Sequence, residues 1–257
     1  PDGESRLRLP AQLPRQVALL RGLQQPNHKL AELMIVAPAA RELGASRLTL
    51  VCPYLAYMRQ DMAFQPGEAV SQRHIGQALA TWFDNVITVD PHLHRVATMD
   101  EVLPSRRGVA LSAAPLLGAW AAQHAQRPIL LGPDEEAAPW VRNAALAQGL
   151  QHGTCIKQRS GDREVCVALP DMDFHGREVV LIDDVASTGR TLAVTAAALR
   201  ARGAAAVDVA VTHALFVGDA IEQLVRAGVR HVWSSDSVAH SSNAVSLVPL
   251  LAAALRG

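Results

Sequence analysis

VVLIDDVASTGRT (residues 179–191) joins an apolar, β-branched run to a helical pattern through a turn carrying hydroxyls and glycine. The first part is apolar almost throughout, as a strand covered on both faces is. Asp183 and Asp184 close it, at the strand end where open parallel sheets take their ligands. Ser187, Thr188, Gly189, Arg190 and Thr191 then lead into the helix. Hydroxyls and unpaired first-turn N–H groups favour an anion there, because the helix dipole is positive at that end. Gly189 lets the backbone approach a ligand closely or take a positive φ.

A phosphate on the turn and two carboxylates a sugar's width away describe a cradle for ribose 5-phosphate. The turn takes the phosphate, and Asp183 and Asp184 take the 2- and 3-hydroxyls. A simpler reading is a strand-to-helix turn capped by Ser or Thr, with solvated acids. Two adjacent carboxylates on an apolar strand end are costly unless they hold something, which weighs against it. The Gly-Lys-Ser/Thr element of a Walker A loop is absent.

On either side of this run the chain keeps one rhythm. Strand patterns at 47–54, 85–90, 127–134, 178–184, 205–213 and 229–235 alternate with Ala/Leu-rich helical patterns at 29–44, 69–83, 116–125, 191–203 and 219–228. Such alternation marks βαβ units and a mostly parallel sheet. Gly44, Gly203 and Gly228 stand where helix-ending glycines belong. Residues 100–112 lack periodicity and read as a connection, dividing the chain into α/β units at 1–105 and 106–244. The stretch 245–257 reads as a helix expected to pack on the first unit. Met34, Ile35, Trp82 and Phe83 are expected in the core, an interface being the alternative for each.

Composition narrows the partners. The 257 residues are 49% hydrophobic, enough for a real core. The 24 basic residues are balanced by 24 acidic ones. Nucleic acid and anionic membranes both reward a cationic excess, so neither is expected as a partner. No apolar run reaches membrane-spanning length, and the start lacks a secretion-signal pattern, so a cytoplasmic location is expected. PDGE (1–4) reads as the middle of a turn, and a preceding βα unit is expected before Pro1. Cys52, Cys155 and Cys166 lie in apolar or strand-like runs and read as buried free thiols. Lys29 and Lys157 are the two lysines among the 24 basic residues, so each is expected to have a specific task.

The 179–191 run resembles the ribose-phosphate-binding motif of the type I phosphoribosyltransferase superfamily. PDGE (1–4), LVCPYLAYMRQDMAFQPGEAVS (50–71), VITVDPH (86–92), GPD (132–134) and IKQR (156–159) narrow the likeness. Together they resemble the ribose-phosphate diphosphokinase (phosphoribosyl-diphosphate synthetase) family, in that family's order. The 50–71 run is the most specific. The resemblance implies two tandem phosphoribosyltransferase-like α/β domains, each a mostly parallel sheet flanked by helices. It implies transfer of the diphosphoryl group of ATP to the 1-hydroxyl of ribose 5-phosphate.

By the same resemblance, ATP is held by Arg59, Gln60, Asp61 and His92, with Asp2 and Glu4 reaching in from a neighbouring subunit. Ribose 5-phosphate takes Asp183, Asp184, Ser187, Thr188, Gly189, Arg190 and Thr191. Mg²⁺ is implied at His92 and Asp134, and a homo-oligomer with shared active sites follows. Lys157 and Arg159 are the implied catalytic pair. Their spacing puts both side chains on one face of an extended segment, where cations offset the charge growing on transferred phosphate oxygens. A solvated basic strand is the plainer alternative. For Arg59 and Asp61 alone the plainer alternative is a surface ion pair, and for His92 a capping or core histidine.

Three positions depart from the family's pattern. Glu135 and Glu136 follow Asp134 where a small, glycine-containing stretch is usual, and would repel a diphosphate unless they point away. Met62 and Ala63 replace the bases common after Arg-Gln-Asp. Arg190 stands where glycine is general, able either to bind phosphate or to crowd it. Two other functions compete. A phosphoribosyltransferase consuming phosphoribosyl diphosphate keeps the 179–191 run but does not need Arg59–Asp61 or Lys157–Arg159. A non-catalytic regulatory paralogue of the synthetase accommodates Glu135 and Glu136 but leaves Lys157 and Arg159 without a purpose.

Overall fold

The computed structural model describes every residue except Pro1, Gly3, His94, Ala97, Ser105, 161–163 and Gly257; of 157–160 and 164–166 it describes the backbone alone. The chain divides into two compact units, Pro1–Leu111 with Val248–Gly257, and Ser112–Leu247.

In the first unit, β1 (Gln16–Leu20), β2 (Arg47–Cys52), β3 (Asn85–Val89) and β4 (Arg107–Leu111) lie side by side in chain order. Every pairing is parallel. Helices α1 (Pro26–Glu42) and α2 (Ser71–Trp82) and the short α3 (Met99–Val102) supply the crossovers. Alternation along the strands explains the layering: Leu48, Leu50 and Cys52 of β2 join Leu33, Ala37 and Ala40 of α1 and Leu79 and Phe83 in one core. Burial pushes the Cys52 thiol up to about 12, so it is an inert core group.

Residues 100–112, expected as a connection, instead supply most of α3 and all of β4. Gly108 explains the missed pattern, since a Cβ there would lie 2.5 Å from Cβ of Met99. Only a glycine lets α3 pack this closely on β4, and the Asp100 carboxylate accepts the Gly108 N–H at 2.9 Å. Phe83 is fully buried, whereas Met34 and Ile35, expected in the core, stay 52% and 43% exposed on α1. Lys29 is buried and donates to the Gly22 carbonyl at 3.0 Å, tying α1 to the chain after β1. Burial and then Arg21 hold its ammonium below the usual lysine range.

In the second unit α4 (Ala114–His124), β5 (Ile129–Gly132), α5 (Ala138–Leu146), β6 (His152–Thr154), β7 (Ile156–Ser160) and β8 (Glu164–Ala168) come first. Next come β9 (Glu178–Ala186), α6 (Arg190–Ala201), β10 (Ala206–Ala214), α7 (Ala220–Arg226), β11 (Val229–Ser235) and β12 (Asn243–Val245). Among the described residues they build a parallel sheet in the order β12-β11-β10-β9-β5-β6, and β7 and β8 form a separate antiparallel hairpin. Both faces of this sheet are covered, as its continuous apolar strands require. Val179 and Leu181 of β9 face α6 and α7, while Val180 and Ile182 face α4 and α5. Helices α1, α6 and α7 are followed by Gly44, Gly203 and Gly228, each at positive φ.

Candidate active site

The second unit gathers its candidate groups where β5 and β9 end. Asp183 and Asp184 continue the alternation of β9, one toward each helix layer, and Asp184 is 4% exposed. The Asp183 carboxyl is held well above the usual carboxylate range, by burial first and then by Asp184 and Asp134. That effect places three acids in one field. Asp134 follows β5 and accepts the Glu136 N–H at 3.2 Å, opening a short 3₁₀ turn, Glu135–Ala137. Glu135 and Glu136 are both exposed there.

The turn after β9 has the features of an anion site. Gly189 takes φ 67° and ψ 2° at the N-cap of α6, with no side chain capping the helix. Its carbonyl starts the helix by accepting the Ala193 N–H at 2.8 Å. The N–H groups of the first turn therefore keep their donors for a ligand. Ser187 and Thr191 are half-buried, Thr188 and Arg190 exposed. The Ser187 carbonyl is pinned by the Val217 N–H at 3.1 Å.

The first unit has its own cluster where β2 and β3 end. Tyr57 at φ 67° turns the chain after β2, and Arg59 and Gln60 follow it, both exposed. Asp61 is different, for its side chain is 2% exposed and paired to Arg95 at 2.7 Å. After β3, Asp90 is buried at φ 37°, a conformation costly for a residue with a Cβ. Leu111 fixes it by accepting the Asp90 N–H at 2.8 Å. This bend leads directly into Pro91 and half-buried His92.

Arg95 is a residue the sequence reading missed. Its signal was a base three positions after His92, visible only once Asp61 is known to meet it. His213, near the end of β10, was missed as well. It is 1% exposed, with Nδ1 2.9 Å from Oγ of Ser237. Because Ser237 spends its proton on the Thr212 carbonyl at 2.8 Å, the His213 ring nitrogen is the donor. That network stiffens the β10 end beside the paired Val185 of β9.

Lys157 and Arg159 lie on β7, whose backbone is extended as expected, but their side chains are outside the described residues. His94, for which no role was read, is also outside them. Asp2 and Glu4 are exposed, and the Asp2 carboxylate accepts the Glu4 N–H at 3.1 Å. Cys155 is buried and free, its thiol pushed up to about 12 by burial and then Asp134. Among the described residues no group of three or more His, Cys, Asp or Glu is arranged to hold a metal ion, and no helix is long and apolar enough to cross a membrane. A cavity of about 420 Å³ in the first unit, lined by Arg47, Arg107 and Arg256, contains none of the expected site residues.

Comparison with known proteins finds two family models along the chain. Residues 1–82 match the N-terminal domain of ribose phosphate pyrophosphokinase, and residues 114–230 match the phosphoribosyl transferase domain. The ribose-phosphate pyrophosphokinase of Methanopyrus kandleri is 35% identical over 99% of this chain and 87% of its own length. That of Methanosarcina mazei is 32% identical over 100% of this chain and 85% of its own. The crystal structure of phosphoribosylpyrophosphate synthetase from Mycobacterium smegmatis superposes with a TM-score of 0.76 at 25% identity, covering 94% of this chain and 80% of that one.

Proposed function

Because the chain belongs to the ribose-phosphate pyrophosphokinase family, we propose that it transfers the diphosphoryl group of ATP to ribose 5-phosphate, giving 5-phosphoribosyl 1-diphosphate and AMP. The observation that carries this reading is the pairing of Asp183 and Asp184 with the uncapped start of α6 at Gly189. Backbone donors for a phosphate and acceptors for sugar hydroxyls leave the ends of one strand and one helix together.

In this mechanism the second unit takes the sugar. Ser187, Thr188, Gly189, Arg190 and Thr191 hold the 5-phosphate, and Asp183 and Asp184 orient the ribose by its 2- and 3-hydroxyls. The first unit takes the nucleotide, with Arg59, Gln60, Asp61 and His92 as its contacts and Asp2 and Glu4 contributed by a neighbouring subunit. The ribose 1-oxygen attacks the β-phosphorus in line. The bond from that phosphorus to the α–β bridging oxygen breaks, AMP leaves with the oxygen, and the 1-hydroxyl proton is released. Lys157 and Arg159 offset the charge growing on the phosphate oxygens.

Mg²⁺ fits the donor set, since hard carboxylate oxygens suit it and the burial and then the neighbouring Asp184 and Asp134 that raise Asp183 make its charge one a nearby cation would stabilise. Asp134 in the second unit and His92 in the first are each read as a group that would bind Mg²⁺, which would supply neutralisation of phosphate charge. Exposed Glu135 and Glu136 are placed in solvent by the 3₁₀ turn, which answers their departure from the family's pattern. We place the enzyme in the cytoplasm as a homo-oligomer; a monomer by light scattering at micromolar concentration counts against shared sites.

The test is incubation with Mg-ATP and ribose 5-phosphate, with AMP measured by chromatography. AMP and phosphoribosyl diphosphate in equal amounts, lost in Lys157→Ala, are the expected result. Ribose 5-phosphate binding without AMP would sink the proposal.

A further inference from the structure

The Asp61–Arg95 pair is built in a way that structural ion pairs are not. Arg95 Nη1 meets Asp61 Oδ1 at 2.7 Å, with the carboxylate side chain 2% exposed and the guanidinium 52% exposed. Oδ2 of Asp61 is buried without a hydrogen-bond partner. A buried carboxylate serving stability alone is normally satisfied at both oxygens, and Arg is shaped to do so with a two-pronged contact. Here one prong is used. The rest of the guanidinium is turned toward solvent with its donors unspent.

The location gives those donors a use. Asp61 follows β2 and Arg95 follows β3, neighbouring parallel strands, and both segments leave the carboxyl ends where α/β sheets bind ligands. His92 lies three residues before Arg95 in the same segment. Arg59 is the cation before Asp61, and Met62 and Ala63 directly after it add none. The ion pair brings a second cation there from the segment after the adjacent strand.

We propose that Arg95 is a phosphate-binding residue of the nucleotide site, and that Asp61 is its positioning residue. This rests on the reading of Arg59–Asp61 and His92 as the ATP side of the enzyme. An exposed guanidinium held at one corner is preset for the polyphosphate and gives up little side-chain freedom on binding. In this assignment Asp61, with its side chain 2% exposed, serves the ATP side by lowering the freedom of Arg95 and not by touching the phosphates.

The experiment compares the full chain with Arg95→Ala, Arg95→Lys and Asp61→Asn, measuring Mg-ATP binding by calorimetry and both KM values by AMP formation. Loss of a charge-assisted contact predicts an ATP Kd and KM raised about ten- to a hundred-fold in Arg95→Ala. The KM for ribose 5-phosphate stays within about twofold, the scale of an indirect effect. Arg95→Lys recovers part of the loss, and Asp61→Asn raises the ATP KM without changing the ribose 5-phosphate KM. Equal ATP affinity in wild type and Arg95→Ala overturns the assignment while leaving the enzyme reading intact. ATP binding that depends on Arg95 in a protein that makes no AMP supports the assignment and rejects the reaction. A wild type that binds no ATP rejects both.

Discussion

The backbone N–H of Asp184 donates to Oδ1 of Asp183 at 2.9 Å, fixing the Asp183 carboxyl where the apolar part of β9 ends. Burial, then Asp184 and Asp134, keeps the Asp183 carboxyl well above the usual range. The folded chain thus holds a proton that the unfolded chain releases. The associated stability is fully present below the unfolded pKa and is lost as pH rises through the raised folded value. Asp183→Asn removes that penalty. Its melting temperature is expected to exceed wild type by a few degrees at about pH 8 and to match it near about pH 3, where both side chains are neutral. A variant no more stable than wild type at the higher pH removes the repulsion account.

The same burial and repulsion predict proton release on ligation. A divalent cation arriving with ribose 5-phosphate favours the ionised carboxyl, so at a pH below the raised Asp183 value binding expels its proton. Calorimetry of ribose 5-phosphate with Mg²⁺ in buffers of different ionisation enthalpy measures it. Release is expected in wild type and not in Asp183→Asn; identical release in both places the proton elsewhere.

Gly189→Ala separates backbone strain from crowding. The nearest atoms to an added Cβ are 3.6 Å away on Ala220, ordinary contact, so space is not the obstacle. The obstacle is φ 67°, which costs a residue with a Cβ about 1–2 kcal/mol. Urea denaturation is expected to show that loss, and the KM for ribose 5-phosphate to rise with it as the turn relaxes. Unchanged stability with unchanged KM contradicts a functional turn.

Lys157→Ala and Arg159→Ala are expected to lower kcat by about 100-fold or more, the scale of removing one preorganised charge from a transition state. Melting temperatures should hold, since a two-stranded hairpin contributes little alone. A rise in either KM with kcat intact would make the pair binding residues.

Legibility in the sequence followed the range of the interaction. The run 179–191 was readable because strand, acids and turn are consecutive, and so were the helix-ending glycines. Strand β4 was not, because RGVAL is short and half-exposed and depends on the approach of Met99 to Gly108. Helix α5 was missed because Ala138–Leu146 is only 9 residues long and carries no capping side chain. The pairs Asp61–Arg95 and Asp208–Arg230 join residues 34 and 22 positions apart, a spacing that no local pattern encodes. Met34 and Ile35 look like core residues in sequence, yet α1 turns them outward.

Asp208–Arg230 gives the sharpest contrast between stability and activity. Asp208 is fully buried near the start of β10, and Arg230 grips both its oxygens, at 3.0 Å and 2.6 Å. Arg230 also reaches Glu178 at 2.9 Å. The His231 backbone N–H adds a third donor to Asp208 at 3.0 Å. All of this lies toward the amino ends of β9, β10 and β11; Asp208 is level with Val180, three residues or about 10 Å along the strands from Asp183. Arg230→Ala leaves a buried carboxylate with only His231 beside it. Breaking such a pair costs up to about 5 kcal/mol, but Arg230 is 37% exposed, so screening brings the expected loss to about 2–3 kcal/mol. Both KM values and kcat are expected to stay at wild-type levels. The pH dependence follows from Glu178, whose carboxyl is held below its usual range by the Arg230 hydrogen bond, with burial opposing. A depressed carboxyl contributes stability above its unfolded pKa and loses it as pH falls through the folded value. The gap between wild type and Arg230→Ala should therefore be widest near neutrality and shrink below about pH 4. Chemical denaturation at several pH values measures it, and a gap that does not change with pH would mean that Arg230 acts through packing rather than charge.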